Sequence, residues 1–179
     1  MRILLLRHAK SSWDTPGLTD HDRPLARRGQ RAAPAMGAHF AGTGLRVDRI
    51  VSSTAARARS TARLFRKAFD ERIPLTERRD LYHADRIDLL SIAVEEAKGD
   101  DDARILLVGH NPGMHDLAMF LCGEGESEDI ARLEAKFPTC ALAEFDLPGN
   151  STVHLQRGAC TLLRFVHPRD LPTQKGPRL

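Results

Sequence analysis

Two short stretches decide the fold: Leu4-Leu5-Leu6-Arg7-His8 and Leu106-Leu107-Val108-Gly109-His110. Each is a run of aliphatic residues that ends at a histidine, and such a run is typical of a strand buried on both faces of a sheet. If the two strands lie parallel in one sheet, their last residues emerge at the same edge. The sequence therefore predicts that two imidazoles and the Arg7 guanidinium meet at the carboxyl edge of a sheet, where they suit an anion such as phosphate.

The remaining pattern alternates strands with helices. Apolar runs predict strands over residues 2–8, 47–52, 104–110, 139–147 and 159–167, with a short strand over residues 73–76. Other patterns predict helices over residues 30–41, 54–70, 85–98 and 112–121, and a short helix from Ser127 to before Pro138. This alternation with short links is typical of an α/β fold, with a mostly parallel central sheet and helices on both faces, in three layers.

The composition is that of one globular domain. The chain has 179 residues, of which 41% are hydrophobic and 28% charged, so it carries enough apolar material for a sizeable core. We expect a single domain over residues 1–171 and a loose C-terminal tail over residues 172–179. The net charge of +3 permits attraction to acidic substrates. The arginines are scattered, and one Trp and one Tyr offer little base stacking, which argues against a nucleic-acid binder.

The cysteines and the N-terminal run bear on the cellular compartment. Cys122, Cys140 and Cys160 are far apart and include no C-x-x-C pair, so we expect buried free thiols rather than a disulfide framework or a structural zinc site. The first apolar run is too short for a signal peptide or a membrane span. We therefore expect a cytoplasmic monomer that does not contact membranes.

Two helix starts point to the same edge of the sheet. Arg57 lies in the predicted first turn of the helix after the second strand, where a cation is disfavoured by roughly 0.3–1 kcal/mol. An anion held between Arg57 and the helix end would explain its position. After His110, Asn111 is the predicted N-cap and Pro112 the first helical residue, so the N–H groups of that helix would face the same edge.

These positions form a recognisable pattern. It comprises Arg7-His8, then Ser52-Ser53-x-x-x-Arg57-Ala58-x-x-Thr61-Ala62, then Gly109-His110. From Met1 to about Leu171 the chain resembles the histidine phosphatase superfamily, which has the phosphoglycerate-mutase-like fold. The form Arg-His-Ala-Lys-Ser and the segment Arg23-Pro24-Leu25-x-x-x-Gly29 resemble the SixA-type phosphohistidine phosphatase branch.

The resemblance implies a role for each catalytic residue. His8 is the expected nucleophile, whose neutral nitrogen attacks phosphorus and forms a phosphohistidine that water then hydrolyses. Arg7 and Arg57 are expected to clamp the phosphoryl oxygens, and His110 to donate to another oxygen and stabilise charge on the transferring group. Because these groups supply the positive charge, we expect neither a metal nor another cofactor.

Three neighbours of these residues are candidate substrate-binding residues. Lys10 and Ser11 follow the nucleophile by two and three positions, and Asn111 follows His110. Lys10 could guide an anionic substrate, or it could be an ordinary solvated side chain. A metal site is a weaker alternative, because His110 and His115 are five residues apart, not the four that places two ligands on one helical face.

The proton donor for the leaving group is the least defined part of the pattern. Many relatives carry a glutamate after the third strand, and here Asp80 aligns best, with Glu77 as a second choice and an ordinary surface carboxylate as the alternative for both. A shorter acid, or none, fits a substrate whose leaving group is already good. The imidazole of a phosphohistidine is such a group, whereas a sugar alkoxide is not.

The sequence therefore favours a metal-independent phosphatase that removes phosphate from phosphohistidine on a protein. No large inserted lid is evident, and an open site would admit a protein substrate, whereas a small metabolite benefits from enclosure. Two alternatives remain open. One is a phosphatase of small phosphomonoesters, and the other is a non-catalytic module that binds phosphate.

Overall fold

A computed structural model of the protein describes residues 1–14, 16–69, 72–148 and 155–171. The strands run in chain order as β1 (Arg2–Arg7), β2 (Arg49–Ser53), β3 (Leu75–Arg78), β4 (Arg104–Gly109), β5 (Cys122–Gly125), β6 (Leu142–Asp146) and β7 (Cys160–Val166). The helices are α1 (Arg27–Gly42), α2 (Ala56–Arg66), α3 (Arg86–Ala97), α4 (Gly113–Leu121) and α5 (Ser127–Ala135). A short 3₁₀ turn over Pro168–Asp170 follows β7.

The strands form one sheet in the order β3-β2-β4-β1-β6-β7-β5. β1 is parallel to β4, and β2 is parallel to both β4 and β3, so these four strands end at one edge. β6 runs antiparallel to both β1 and β7, and β5 pairs in parallel with β7. The predicted α/β fold with a mostly parallel central sheet is therefore confirmed.

Helices cover both faces of the sheet, as the doubly buried strands require. Along β1, Leu4 and Leu6 pack with α1 and α2 on one face, whereas Ile3 and Leu5 pack with α3, α4 and α5 on the other. All four side chains are fully buried, and each is worth roughly 1.5–3 kcal/mol of burial free energy. The predicted three layers are present.

The main error of the sequence-based prediction lies between α4 and α5. Residues Cys122–Gly125 form the edge strand β5, where no strand was predicted, because the sequence Cys-Gly-Glu-Gly has little β propensity. The strand forms through pairing with β7 and contains a register shift between Cys122 and Glu124. The helix predicted over residues 54–70 is shorter, Ala56–Arg66, and its predicted last residue lies outside the described part of the chain.

Other predictions fall partly outside these residues. The predicted loose tail over residues 172–179 is not among the described residues. The three cysteines are free thiols, with Cys140 and Cys160 buried and Cys122 half-buried. Within the described ranges, none of the helices combines the length and the apolar character that crossing a membrane requires.

Candidate active site

The two central strands bring His8 and His110 together. β1 and β4 pair in register with Arg7 opposite Gly109, so each histidine stands one residue beyond its strand. The backbone N–H of His8 donates to the Gly109 carbonyl at 2.9 Å, which extends the pairing to the edge. The centres of the two imidazole rings are 5.0 Å apart. The convergence predicted from the apolar runs is therefore present.

The protonation state of His8 is set by its neighbours. Its Nδ1 lies 2.8 Å from the Ala9 carbonyl oxygen, which can only accept, so Nδ1 carries the proton and Nε2 carries the lone pair. Burial is the main cause that lowers the pKa of His8 to about 4, and the nearby Arg57 and Arg7 charges add to it. At neutral pH the side chain is a neutral imidazole with Nε2 available as a nucleophile.

Arg57 connects the two histidines. It is the second residue of α2 and is buried, and its Nε donates to His8 Nε2 at 3.3 Å. One terminal nitrogen, Nη2, lies 3.3 Å from His110 Nδ1. A guanidinium held across both rings is placed to contact an oxyanion that sits between them.

His110 is neutral in this arrangement. Because Arg57 can only donate, His110 Nδ1 accepts, and the ring proton sits on Nε2, which lies 2.9 Å from the Ser53 hydroxyl oxygen. Burial above all, and then the neighbouring His8 and Arg57, lower the pKa of His110 to about 3. Donation from Nδ1 to a phosphoryl oxygen would need a second proton on this ring, which a bound dianion favours.

Arg7 is anchored on the opposite side of the site. Its Nη1 donates to the Phe137 carbonyl at 2.8 Å, and burial lowers the pKa of Arg7. Among the described residues its buried Nε has no hydrogen-bond partner. Arg7 is half-buried, and an unpaired buried donor such as its Nε is costly unless an anion binds it. The charge of Arg7 is also close enough to lower the pKa of His8.

Comparison with known proteins identifies the family. The family model described as the histidine phosphatase superfamily (branch 1) matches residues 3–101, which is more than half of the chain. The chain belongs to the histidine phosphatase superfamily. Its 32% identity to a solved SixA structure places it in the SixA-type branch. It is therefore a phosphatase, and this outcome goes against the alternative of a non-catalytic phosphate-binding module.

Individual relatives of this histidine phosphatase agree with that assignment. An uncharacterized protein of Mycobacterium leprae (strain TN) is 34% identical, and the match covers 92% of this chain and 100% of that protein. The proposed phosphohistidine phosphatase SixA from Agrobacterium tumefaciens is 32% identical, with a TM-score of 0.75 over 93% of this chain and 98% of that one. A structure of the protein histidine phosphatase SixA complexed with tungstate shares the fold, with 21% identity and a TM-score of 0.74 over 95% and 99% of the two chains.

The predicted proton donor of this histidine phosphatase is engaged elsewhere. Asp80 accepts from Nε and Nη2 of Arg78 at 3.0 and 2.6 Å, and this pair lowers the pKa of Asp80. At neutral pH it therefore holds no proton to give. Glu77, the second choice, pairs with Arg63 and Arg59 on the surface of α2. These ion pairs argue against a general-acid role, which stays a prediction for both carboxylates.

The predicted substrate-binding residues have different environments. The Lys10 side chain is exposed, and its backbone carbonyl accepts from Ala26. Ser11 is buried and its hydroxyl accepts from Arg23 Nη2 at 2.9 Å. A role in binding substrate stays a prediction for both.

Asn111 differs from the prediction. It is not the N-cap of α4, because the cap position is Pro112 and carries no side-chain cap. Its Nδ2 instead donates to the Phe137 carbonyl at 3.1 Å, the same oxygen that accepts from Arg7. Within the described part of the chain, its buried Oδ1 lacks a partner. Asn111 therefore supports the segment that anchors Arg7, and a direct contact with substrate remains a prediction.

Sequence reasoning missed the carboxylate that does contact the site. Asp20, in the connection between β1 and α1, accepts from Arg57 Nη2 at 2.8 Å, and its backbone carbonyl accepts from Arg57 Nη1. Tyr82 and Arg23 donate to the same carboxylate at 2.9 Å each. These bonds, which outweigh partial burial, lower the pKa of Asp20 to about 2. No periodic pattern marks Asp20, because it lies in an irregular polar stretch.

Tyr82 and the buried hydroxyl of Thr61 complete the surroundings of the site. The Tyr82 ring meets His110 edge to face, with ring centres 5.3 Å apart. Thr61 accepts from the Ala9 backbone N–H at 3.0 Å and donates to the Arg57 carbonyl at 2.7 Å, which ties the segment after His8 to α2. Thr61 was part of the quoted motif, and its spacing of four from Arg57 is the signal that could have assigned it this structural role.

Proposed function

We propose that the protein removes phosphate from phosphohistidine carried by a protein, through a covalent phosphohistidine formed on His8. The observation that carries the covalent step is the neutral His8 ring, whose Nδ1 is held by the Ala9 carbonyl and whose Nε2 faces Arg57. An imidazole held in this tautomer presents one nucleophilic nitrogen to a phosphoryl group clamped beside it.

In the first step, the lone pair of His8 Nε2 forms a bond to phosphorus as the bond from phosphorus to the substrate nitrogen breaks. The electron pair of the broken bond returns to the substrate imidazole. The Arg57 N–H that points at Nε2 in the free protein then donates to a phosphoryl oxygen. Arg7 supplies further donors, and His110 supplies one once the bound phosphoryl dianion has favoured protonation of its Nδ1. Phosphoryl transfer depends mainly on such positioning and electrostatic stabilisation.

In the second step, water attacks the phosphorus of the His8 adduct. The bond to Nε2 breaks and its electron pair returns to the ring, while the protons of the water remain with the released phosphate. His8 is thereby restored with the proton still on Nδ1, where the Ala9 carbonyl holds it. The same clamp serves both steps, since the phosphoryl group carries similar charge in each.

The ionised carboxylates near the site favour a substrate whose leaving group needs no enzyme acid. Asp80 and Glu77 are ion-paired with arginines. The contacts that lower the pKa of Asp20 to about 2 keep it ionised. Protonation of an alkoxide leaving group would need an acid that none of the three provides at neutral pH. A phosphohistidine leaves as neutral imidazole once its second ring nitrogen carries a proton, and an imidazole gains that proton near neutral pH without an enzyme acid.

The surroundings of the site fit a large substrate. Trp13 is 74% exposed, and the Arg23 guanidinium lies 3.1 Å from the centre of its ring. Arg23 also holds Asp20 and Ser11, so this exposed aromatic surface adjoins the site. Exposed aromatic and arginine side chains are enriched where proteins bind one another.

A matched panel of substrates tests the proposal. Phosphate release is measured from a phosphohistidine peptide, from the same peptide with phosphoserine, and from a small sugar phosphate, each with and without EDTA. We expect the phosphohistidine peptide to be preferred by at least about a hundredfold in kcat/KM. The other two substrates have alkoxide leaving groups, and among the described residues the site has no acid to protonate them. EDTA is expected to have no effect, since the arginines supply the positive charge.

The control is His8→Ala, which should release no phosphate from any of the three substrates. Faster turnover of the sugar phosphate would favour the alternative of a small-molecule phosphatase. Loss of activity in EDTA, restored by a divalent metal, would contradict the metal-independent mechanism.

A further inference from the structure

A basic cleft lies on the β6–β7 side of the catalytic edge. It encloses about 410 Å³, and its walls come from the start of α1, the end of α5 and the turn after β7. Four cationic side chains line it: Arg28, Arg132, Lys136 and Arg169. Among the described residues that line it there is no carboxylate. The predicted catalytic residues do not include any of these side chains.

The cleft shares a wall with the active site. Lys136 and Pro138 line the cleft, and between them stands Phe137, whose carbonyl accepts from Arg7 at 2.8 Å. Thr139 also lines it, and the next residue, Cys140, donates its backbone N–H to the His8 carbonyl at 3.1 Å. The single segment over residues 136–140 therefore bonds to Arg7 and to the His8 backbone, and it also lines the cleft.

The opposite wall of the cleft, at the start of α1, packs on the segment that follows His8. Arg28 precedes Gly29, which packs so closely on the backbone of Lys10 that an added Cβ would lie 2.3 Å from the Lys10 carbonyl oxygen. Only glycine permits this approach of α1 to the segment after His8. The position of Arg28 relative to the nucleophile is thus set by backbone packing.

The charges of the cleft are only partly balanced. Arg132 pairs with Asp129 and Asp170, and Asp170 also lies 3.7 Å from Arg169. Within the described ranges, Arg28 and Lys136 have no ion pair, and both are exposed. Four cations against two neighbouring carboxylates leave the cleft with an excess of positive charge, which favours an acidic partner.

Two buried donors of the cleft are also unpaired. Arg132 Nε and His167 Nε2 have no hydrogen-bond partner among the described residues. The His167 side chain accepts from the Asp170 backbone N–H, so in the neutral ring the proton is on Nε2. Buried donors without partners carry a desolvation cost.

We propose that this cleft binds acidic side chains of the phosphorylated protein substrate, next to the phosphohistidine that enters the active site. This inference rests on the proposed function, since it concerns how a protein substrate is recognised. A cleft beside the nucleophile would hold the flanking chain by charge while Arg7, Arg57 and His110 hold the phosphoryl group. It would therefore act on KM for proteins and leave small substrates unaffected.

The test compares two phosphohistidine peptides, one with Asp and Glu flanking the phosphohistidine and one with Asn and Gln at the same positions. The variant carries Arg28→Glu and Lys136→Glu, which reverse two exposed charges of the cleft. The control carries Lys98→Glu and Arg157→Glu, which make the same charge change at exposed positions on the opposite edge of the sheet. p-Nitrophenyl phosphate serves as the small substrate for all three proteins.

We expect the natural protein to prefer the acidic peptide about tenfold in kcat/KM, and the cleft variant to lose that preference, mainly through KM. The control variant should keep it, and turnover of p-nitrophenyl phosphate should be the same in all three proteins. A preference for the acidic peptide that survives in the cleft variant would overturn the proposal, as would an equal loss in the control.

The proposed function fails in a different way. If the natural protein hydrolyses p-nitrophenyl phosphate but neither peptide, the protein-substrate function is wrong, and the cleft proposal falls with it. If both peptides are hydrolysed equally well and the cleft variant matches the natural protein, only the cleft proposal is wrong. A cleft variant that binds single-stranded DNA less tightly than the control, with unchanged peptide preference, would assign the cleft to nucleic acid instead.

Discussion

His8 and His110 each stand one residue beyond a central strand, whereas Asp20 and Tyr82 stand in the connections that follow β1 and β3. The first pair is placed by backbone pairing between β1 and β4, with Arg7 opposite Gly109. The second pair is placed by side-chain hydrogen bonds to Arg57 and to each other. Both pairs contribute to one site, but the physical causes of their positions differ.

Under the proposed mechanism, the first pair contains the nucleophile, and the second pair orients Arg57. Strand ends are among the most rigid points of the fold, and a nucleophile needs a fixed position relative to phosphorus. The connections supply partners that adjust the arginine between the two histidines. Substitutions at strand ends should therefore abolish chemistry, and substitutions in the connections should weaken it.

The largest effect is expected for His8→Ala. The substitution removes the atom that bonds to phosphorus, so kcat should fall by at least about a thousandfold. Phosphate release from a phosphohistidine peptide measures it. The matched control is His39→Ala, which changes a histidine on α1 and should leave kcat unaltered. Retention of more than a tenth of the activity in His8→Ala would contradict the nucleophile assignment.

Arg57→Lys is expected to have the next largest effect. Lysine keeps the charge but cannot donate to both His8 and His110 from one planar group, so kcat should fall about a hundredfold. Steady-state kinetics with the same peptide gives the ratio. The control is Arg63→Lys, which makes the same change at an exposed position further along α2. Its kcat should stay within twofold of that of the natural protein. Equal activities for the two variants would show that the two-sided geometry of Arg57 is unimportant.

Asp20→Ala and Asp80→Ala compare the observed partner of Arg57 with the acid that the sequence favoured. Removing Asp20 deletes a charge-assisted bond that orients Arg57, and kcat should fall about tenfold. Removing Asp80 breaks an exposed ion pair with Arg78 and should change kcat by less than about twofold. The reverse order, with Asp80→Ala the slower enzyme, would restore the predicted acid.

The fold and the convergence of His8 and His110 could be predicted, because each follows from a local pattern with one physical meaning. Two aliphatic runs that end at histidines indicate buried parallel strands. The register of those strands, with Arg7 opposite Gly109, then places the two histidines side by side. The roles of Asp80 and Asn111 could not be predicted, because the partner of Asn111 is distant in sequence, and because nothing in the local sequence shows that the Asp80 side chain turns to the neighbouring Arg78. Asp80 is drawn to Arg78, and Asn111 to the Phe137 carbonyl.

Asp20 and β5 are features that the sequence analysis missed. Asp20 is one of several carboxylates in the polar stretch after β1, and only the folded connection brings it to Arg57. The strand β5 has a sequence that disfavours strands, and it forms because β7 offers a free edge. Tertiary contacts in both cases override what the local sequence favours.

A smaller effect is expected from pH. The pKa of His8 is about 4, below the usual value of histidine, so lowering the pH toward 4 protonates Nε2 and removes the lone pair. After correction for the ionisation of the substrate, the acid limb that His8 of the free enzyme contributes to kcat/KM should have its midpoint near pH 4. An acid limb centred near pH 6.5 would contradict the buried, neutral histidine.

Stability should change in the same range, with a sign that follows from linkage. The unfolded chain has ordinary histidines and takes up protons below about pH 6.5, before the folded protein protonates His8 at about 4 and His110 at about 3. The free energy of unfolding should therefore decrease as the pH falls from about 6.5 to about 4. Urea unfolding at several pH values measures it, and the slope should be shallower in His8→Asn. A free energy of unfolding that rises toward acid pH would refute the assignment.

The central claim is that His8 Nε2 bonds covalently to the phosphoryl group, and trapping of the intermediate tests it most directly. The protein is mixed with a ³²P-labelled phosphohistidine peptide, quenched in alkaline denaturant and digested, and the labelled peptide is sequenced by mass spectrometry. The account predicts one acid-labile, alkali-stable label on the fragment that contains His8, and no label in His8→Ala. Label on another residue, or turnover with no trapped label under single-turnover conditions, would contradict it.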